Sequence, residues 1–174
     1  GTLAKYVDER EELWGLATKP MQHKRYNFTE HDLNDPFPLS SEFFDCVVAN
    51  AVLEHLPDFT NVLKETHRVL NNQGIFIVVI PNPHALGRFI CDFHGGFLNV
   101  GRDSKGKWRR KKDHMSLFGT KPLGDAHFHY GMMHEWCYVL EKHKFTILHT
   151  EGIGYIRYPP RLAHVSLIVA RKID

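Results

Sequence analysis

Phe43-Phe44-Asp45-Cys46-Val47-Val48-Ala49 and Ile75-Phe76-Ile77-Val78-Val79-Ile80 are short apolar runs on either side of a segment with helical spacing. Neither run alternates with polar residues, the pattern of parallel strands covered on both faces. Between them Phe59, Val62, Leu63, Val69 and Leu70 recur near every 3.6 residues, with Thr66 filling the same stripe. The spacing predicts strands over 43–49 and 75–80 and a helix between, capped by Asp58 and ended by Gly74. Pro81-Asn82-Pro83 stops the second strand. Strand, helix and strand in this order make a βαβ unit, and the chain is α/β.

Working outward, Tyr26 to Glu30 alternates as a short strand leading into His31, Asp32 and Leu33. Leu13 to Leu16 reads as another strand, entered from a short helix over Leu3 to Glu9. Downstream, 84–126 is rich in Gly, His and basic residues with weak periodicity, an insertion. Trp136, Val139, Leu140 and His143 then share a helical face, Phe145 to His149 reads as a strand, and His164 to Ala170 as the last. The Tyr158-Pro159-Pro160 turn before that strand predicts an antiparallel pair.

At 174 residues, 43% hydrophobic and 24% charged, the chain suits one globular domain over 1–174 with the insertion inside it. No apolar run approaches the ~20 residues of a membrane helix, and no charged-then-apolar leader opens the chain, so the expected compartment is the cytoplasm. Cys46, Cys91 and Cys137 form no CxxC pair, which argues against disulfides and a zinc knuckle and predicts reduced, buried thiols. The net charge of +2 is nearly balanced overall, unlike a nucleic-acid-binding domain. Locally, Arg102, Lys105, Lys107, Arg109, Arg110, Lys111 and Lys112 face a single Asp103, with Trp108 in their midst.

Further motifs tie the segments together. Asp32-Leu33-Asn34-Asp35-Pro36-Phe37-Pro38 precedes Phe44-Asp45-Cys46-Val47-Val48, followed by Val52-Leu53-Glu54-His55-Leu56-Pro57-Asp58, Val62-Leu63-Lys64-Glu65, His67-Arg68-Val69-Leu70, Gly74 and Pro81-Asn82. This ordered set resembles the class I S-adenosylmethionine-dependent methyltransferases, in their type 11/type 12-like branch. The resemblance is close over 13–83, with a looser echo at His127, His129, Trp136, Leu140 and Phe145. It implies a Rossmann-like sheet, mostly parallel with an antiparallel C-terminal strand, and S-adenosylmethionine as cofactor across the C-terminal strand ends.

By that resemblance Asp32 and Leu33 contact the adenine, and Asn50 and Ala51 lie beneath the cofactor. Asp32 has a second reading as the cap of the turn before Pro36. Methyl transfer is an in-line attack on a sulfonium carbon, so alignment and water exclusion dominate and a metal is unnecessary. An acceptor hydroxyl benefits from a general base, for which His55 is the candidate; the alternative is a histidine that packs or caps with Glu54 as partner.

The departures from the family are as informative. Its glycine-rich motif at the end of strand one is almost wholly missing, with Gly1 as the candidate for its last glycine. Trp14-Gly15-Leu16-Ala17 then aligns with strand two and puts Ala17 at the ribose-binding acid. A rival alignment makes Asp8 that acid and Glu9 to Lys19 a helix, with Gly15 inside it at a cost of ~1 kcal/mol. The expected sheet therefore lacks its first strand, and upstream residues, direct pairing of strands two and four, or another chain are the ways to close the gap.

The insertion sits where such enzymes place substrate elements, so His84, Trp108 and Arg109, with His127 and His129, are candidate acceptor contacts; a solvated loop is the bland alternative for the basic run. His127, His129, His134 and Cys137 lack standard metal-ligand spacing, and no metal is expected. The expected partner is a small-molecule, glycan-like or anionic acceptor, with no membrane; nucleic acid is disfavoured, and a homo-oligomer is left open. A degenerate, non-catalytic binding module and a nucleic-acid methyltransferase are the competing classes.

Overall fold

The computed structural model describes residues 7–18, 25–82, 100–102, 108–110, 129, 132–153 and 165–174. In chain order they form β1 (Leu13–Ala17), β2 (Tyr26–Glu30), β3 (Phe44–Asn50), a single 3-10 turn (Leu53–His55), α1 (Thr60–Val69), β4 (Leu70–Pro81), β5 (Val100–Arg102), β6 (Trp108–Arg110), α2 (Met133–Lys142), β7 (Phe145–Ile153) and β8 (Val165–Lys172). The four-stranded sheet has the order β3-β4-β8-β7. β3 and β4 run parallel, with Cys46 opposite Ile75 and Asn50 opposite Val79, while β8 is antiparallel to both β4 and β7. This mixed α/β sheet with an antiparallel C-terminal strand is the architecture expected from the sequence.

One face of the sheet carries the core. Phe76, Val78 and Ile80 of β4 stand opposite Ala170, Ile168 and Ser166 of β8, and all six are buried. Val62, Leu63, Thr66 and Val69 supply the buried stripe of α1, and Trp136 and Leu140 that of α2. Each large apolar side chain withdrawn in this way contributes about 1.5–3 kcal/mol before entropy is counted. Phe145 closes the far end, its ring 5.3 Å from Phe76 and 5.5 Å from His67.

α1 begins at Thr60 with Phe59 as its N-cap residue, one position after the expected cap; Asp58 stands just outside the helix, where its Oδ1 accepts the Thr60 N–H at 2.8 Å. Its end differs. The helix stops at Val69, β4 starts at Leu70, and the ladder with β3 shifts register between Phe44 and Cys46 while Gln73 takes a left-handed φ of 63°. Gly74 is therefore a strand residue under a tight ceiling: a Cβ there would lie 2.8 Å from the Asn71 carbonyl oxygen. Two further expectations need correction. Residues 7–9 of the anticipated N-terminal helix are not helical, and Cys46 is exposed on β3 rather than buried. Cys137 is a half-buried free thiol, and Cys91 lies outside the described residues.

β1 and β2 form a separate parallel pair, Leu13 opposite Tyr26 through Ala17 opposite Glu30. A strand at 13–17 excludes the rival helix over Glu9 to Lys19, and Asp8 sits in a turn, ion-paired to Arg10 at 2.9 Å. Among the described residues β1 makes no ladder with β3. The two meet through side chains, Trp14 edge-on to Phe43 and Phe44 at centroid distances of 5.8 and 6.1 Å. Direct pairing of these strands, one of the three ways to close the gap, is thus not what the chain adopts.

Candidate functional site

The candidate site is assembled from the segments that leave the C-terminal ends of β2, β3 and β4. After β2, Asp32 closes a tight turn: its Oδ1 accepts the Asn34 backbone N–H at 2.9 Å and the Asn34 side-chain amide at 2.7 Å. These two bonds, the backbone one first, hold the Asp32 carboxyl below the usual carboxylate range. The capping reading of Asp32 is therefore realised in the turn. Both of these bonds go to Oδ1, and the side chain is exposed.

The turn is fastened to α1. Asn61 Nδ2 donates to the carbonyls of Leu33 at 3.1 Å and Asp35 at 3.0 Å. Further along, Glu65 accepts the Phe37 N–H at 2.7 Å, while Arg68 donates to the carbonyls of Phe37 and Leu39 at 3.0 and 2.8 Å. Arg68 also bonds Glu65, at 2.7 Å, and this pairing lowers the Glu65 carboxyl.

At the end of β3, exposed Asn50 is followed by Ala51, whose N–H still reaches the Val79 carbonyl at 2.9 Å but whose φ is 52°. A left-handed alanine is strained by about 1–3 kcal/mol, a departure typical of functional turns. The bend throws the chain into the Leu53–His55 turn. Leu53 and Glu54 are each 1% exposed there, and the His55 side chain is 40% exposed. Its Nε2 lies 3.9 Å from Glu54 Oε1.

His129 joins this loop. Its backbone N–H donates to the Glu54 carbonyl at 3.3 Å, and its ring bonds through Nε2 to the Pro57 carbonyl at 3.1 Å, which fixes the proton on Nε2. The ring stands edge-on to Phe59 at 4.7 Å, and Phe59 touches Trp136 at 5.0 Å. Sequence motifs more than seventy residues apart thus meet around one turn.

Of the other candidates, Gly1, His84 and His127 lie outside the described residues. Trp108 and Arg109 fall in β6, which pairs antiparallel with β5 so that Trp108 stands opposite Arg102 and Arg109 opposite Gly101. Ala17 ends β1 and offers no side-chain acceptor. Among the described residues no three His, Cys, Asp or Glu side chains gather as a metal site would require, and no helix is long and apolar enough to cross a membrane.

Two residues carry more weight than their sequence context suggested. The sequence marks Glu54 only as a packing partner for His55, yet both its carboxylate oxygens are buried without a hydrogen-bond partner among the described residues. Asn82, at the mouth of β4, is 5% exposed. A charged residue inside an apolar turn, and a polar residue between two prolines that end a buried strand, are the signals that mark them.

The model of the methyltransferase domain family matches residues 5–78, the stretch that carries β1 through most of β4. The fold is that of the S-adenosylmethionine-dependent methyltransferases. The resemblance seen in the motifs is borne out by solved structures of three organisms. The 1,6-didemethyltoxoflavin-N1-methyltransferase of Burkholderia thailandensis, solved with bound 1,6-didemethyltoxoflavin and S-adenosylhomocysteine, is 15% identical with a TM-score of 0.61, over 99% of this chain and 66% of that one. An S-adenosylmethionine-dependent methyltransferase of Mesorhizobium loti is 17% identical with a TM-score of 0.59, over 91% and 80%. Another, from Methanosarcina mazei, is 15% identical with a TM-score of 0.58, over 99% and 97%. No curated protein matches the sequence.

An exposed carboxylate held by Asn34 through Oδ1 is an acceptor available to a donor group.

Proposed function

We propose that the chain is a methyltransferase that moves the methyl group of S-adenosylmethionine to a small-molecule or glycan-like acceptor. The observation that carries this reading is the fixed Asp32 carboxylate at the end of β2 beside the strained Asn50–Ala51 turn at the end of β3. Ligands of open α/β sheets bind outside the carboxyl ends of the strands, where such turns converge. The cofactor supplies an electrophilic methyl on a sulfonium. Asp32 Oδ2 and the Leu33 backbone hold the adenine, and the bend at Ala51 makes room beneath it. His55, at the exposed rim, takes the acceptor's proton. His129 lines the acceptor side, with His84, His127, Trp108 and Arg109 as further acceptor contacts. One domain spans 1–174, with 84–126 as its substrate segment.

The test is calorimetry with S-adenosylhomocysteine on the wild type and Asp32→Ala, followed by transfer of a labelled methyl group to an acceptor panel. At least a tenfold weaker Kd in Asp32→Ala supports the reading, since a hydrogen bond to a charged acceptor is worth about 1.5–3 kcal/mol. Equal affinity of the two proteins removes Asp32 from the site.

The second reading is a binding module that retains the fold without the transfer. Ala17 at the ribose position favours it, and adenine-nucleoside binding without methyl transfer to any acceptor is its signature.

A further inference from the structure

β5 and β6 pair only with each other among the described residues, as an antiparallel ribbon. The register sets Val100 opposite Arg110, Gly101 opposite Arg109 and Arg102 opposite Trp108. Residues directly opposite in an antiparallel pair share a face, and successive residues alternate between faces. One face therefore carries Arg102, Trp108 and Arg110 with Val100, and the other carries Arg109 with Gly101. A run of like charges in the sequence is sorted by the ladder into two unequal faces.

The ladder holds no counter-charge. Three of its six residues are arginines and none is acidic. Asp103, the single acid of the run from Arg102 to Lys112, lies outside the described residues. Like charges side by side on a ribbon oppose its formation, and a two-stranded ribbon has little stability to spare, so an anion bound to it offsets a real cost. Arginine suits phosphate, because its planar fork of N–H donors bonds two oxygens at once. Arg102 and Arg110 are diagonal neighbours across the ladder, a relation of about 7–8 Å, within which two long side chains can serve one phosphate. Trp108 is directly opposite Arg102 and two residues from Arg110, and indole supplies a flat apolar surface for a ring. A single aromatic and a net charge of only +2 for the whole chain fit a small anion better than a polyanionic strand. The chain enters this stretch from Asn82, at the end of β4, and is next bonded at His129 to the Glu54 turn, so both flanks of the ribbon start from the crevice.

We propose that the face bearing Arg102, Trp108 and Arg110 is a phosphate subsite for the acceptor, which is a phosphorylated sugar: the two arginines hold the phosphate and Trp108 receives the sugar ring. The inference rests on the methyl-transfer reading with a glycan-like acceptor and narrows that class to a phosphate ester. Such an ester brings about 1.5–2 negative charges at pH 7, which two arginines balance.

The experiment is calorimetry on the full chain with glucose 1-phosphate and with glucose, for the wild type, Arg102→Gln, Arg110→Gln and Lys111→Gln. The last removes the same charge from the same run outside the ladder. The wild type should bind the phosphate ester at least tenfold more tightly than glucose. Each arginine variant should lose about tenfold in affinity for the ester, while Lys111→Gln stays within threefold of the wild type. Arg110→Lys keeps the charge but not the fork and should also weaken binding; it carries the test if a glutamine variant fails to fold. Equal binding of ester and glucose by the wild type, or equal losses in all three glutamine variants, overturns the proposal. Tighter binding of oligothymidylate than of the sugar phosphate also overturns it and marks a nucleic-acid surface. S-adenosylhomocysteine binding and labelled-methyl transfer judge the underlying reading separately. Face-specific phosphate binding without either keeps the subsite and removes the transfer; transfer without any preference for phosphate removes the subsite alone.

Discussion

Asn61 and Leu33 are joined across the first turn of α1, the side-chain amide of one donating to the backbone carbonyl of the other at 3.1 Å. The second N–H of the same amide reaches the Asp35 carbonyl at 3.0 Å, so one side chain spans the turn that presents Asp32. Asn61 lies outside the proposed crevice, yet it ties down the backbone on the far side of Asp32. In Asn61→Ala both carbonyls lose a donor, and stability should fall by about 1–2 kcal/mol. S-adenosylhomocysteine affinity should fall as well, although no ligand contact is removed. Urea denaturation and calorimetry on the same preparation check both outcomes, and unchanged affinity shows that the turn holds its shape without the helix.

Arg68 acts as a clamp on the segment that follows. Its guanidinium joins Glu65 to the carbonyls of Phe37 and Leu39, a set that straightens 37–39 along α1. Arg68→Ala should cost about 2–3 kcal/mol, because two carbonyls and a largely shielded carboxylate lose their donor together. Chemical denaturation measures the loss; a change within 0.5 kcal/mol would mean that water replaces the clamp.

The same pair predicts a pH dependence with a definite sign. Bonding to Arg68, ahead of the other influences, holds the folded-state Glu65 carboxyl below its ordinary value. A depressed carboxyl contributes stability that is fully present above its unfolded value and is lost as pH falls through the folded one. Denaturation midpoints should therefore be flat near neutrality and decline below about pH 4. Part of that decline should vanish in Glu65→Gln, which cannot bind the proton. An identical acid limb in wild type and variant would remove Glu65 from the linkage.

The βαβ unit is legible because its signals are local: unbroken apolar runs for β3 and β4 and a 3.6-residue stripe for α1, with Asp58 just before its first turn. What escaped were features set by contacts distant in sequence. Gly74 reads as a helix terminator, but the chain turns at Val69 and uses Gln73 for the left-handed residue. Cys46 looks like core from its neighbours, and its exposure depends on what covers β3. The meeting of His129 with the Glu54 turn leaves no periodic trace, since it joins segments more than seventy residues apart. The burial of Glu54 was hidden for a related reason: a charged residue beside an exposed histidine ordinarily signals a solvated turn.

Gly74 tests how firmly the β4 entry is built. A methyl group at that position would meet the Asn71 carbonyl oxygen at 2.8 Å and Leu70 Cδ2 at 3.0 Å, and the first of these is backbone with little freedom to withdraw. Gly74→Ala should therefore destabilise the fold by about 1–3 kcal/mol, against the usual gain from replacing a glycine. Thermal unfolding reads the sign directly, and a rise in Tm would show that the Asn71 to Gly74 bulge relaxes freely.

Ala17 is the most economical place to ask whether the cofactor crevice is impaired rather than abandoned. It ends β1 opposite Glu30, with its carbonyl accepting the His31 N–H at 2.9 Å, so its position on the rim is fixed by the ladder. The resemblance, through the alignment of Trp14-Gly15-Leu16-Ala17, implies a ribose-binding acid at this position, and a carboxylate there would supply a charge-assisted pair of hydrogen bonds that the alanine side chain does not. The wild type should accordingly bind S-adenosylmethionine more weakly than micromolar. Ala17→Asp should tighten binding by about tenfold or more, the equivalent of about 1.5–3 kcal/mol. The backbone at 17 is extended and the side chain half-buried. Calorimetry on the two proteins decides the matter. Micromolar affinity in the wild type contradicts the impairment, and no gain in Ala17→Asp means that the ribose does not lie over the end of β1.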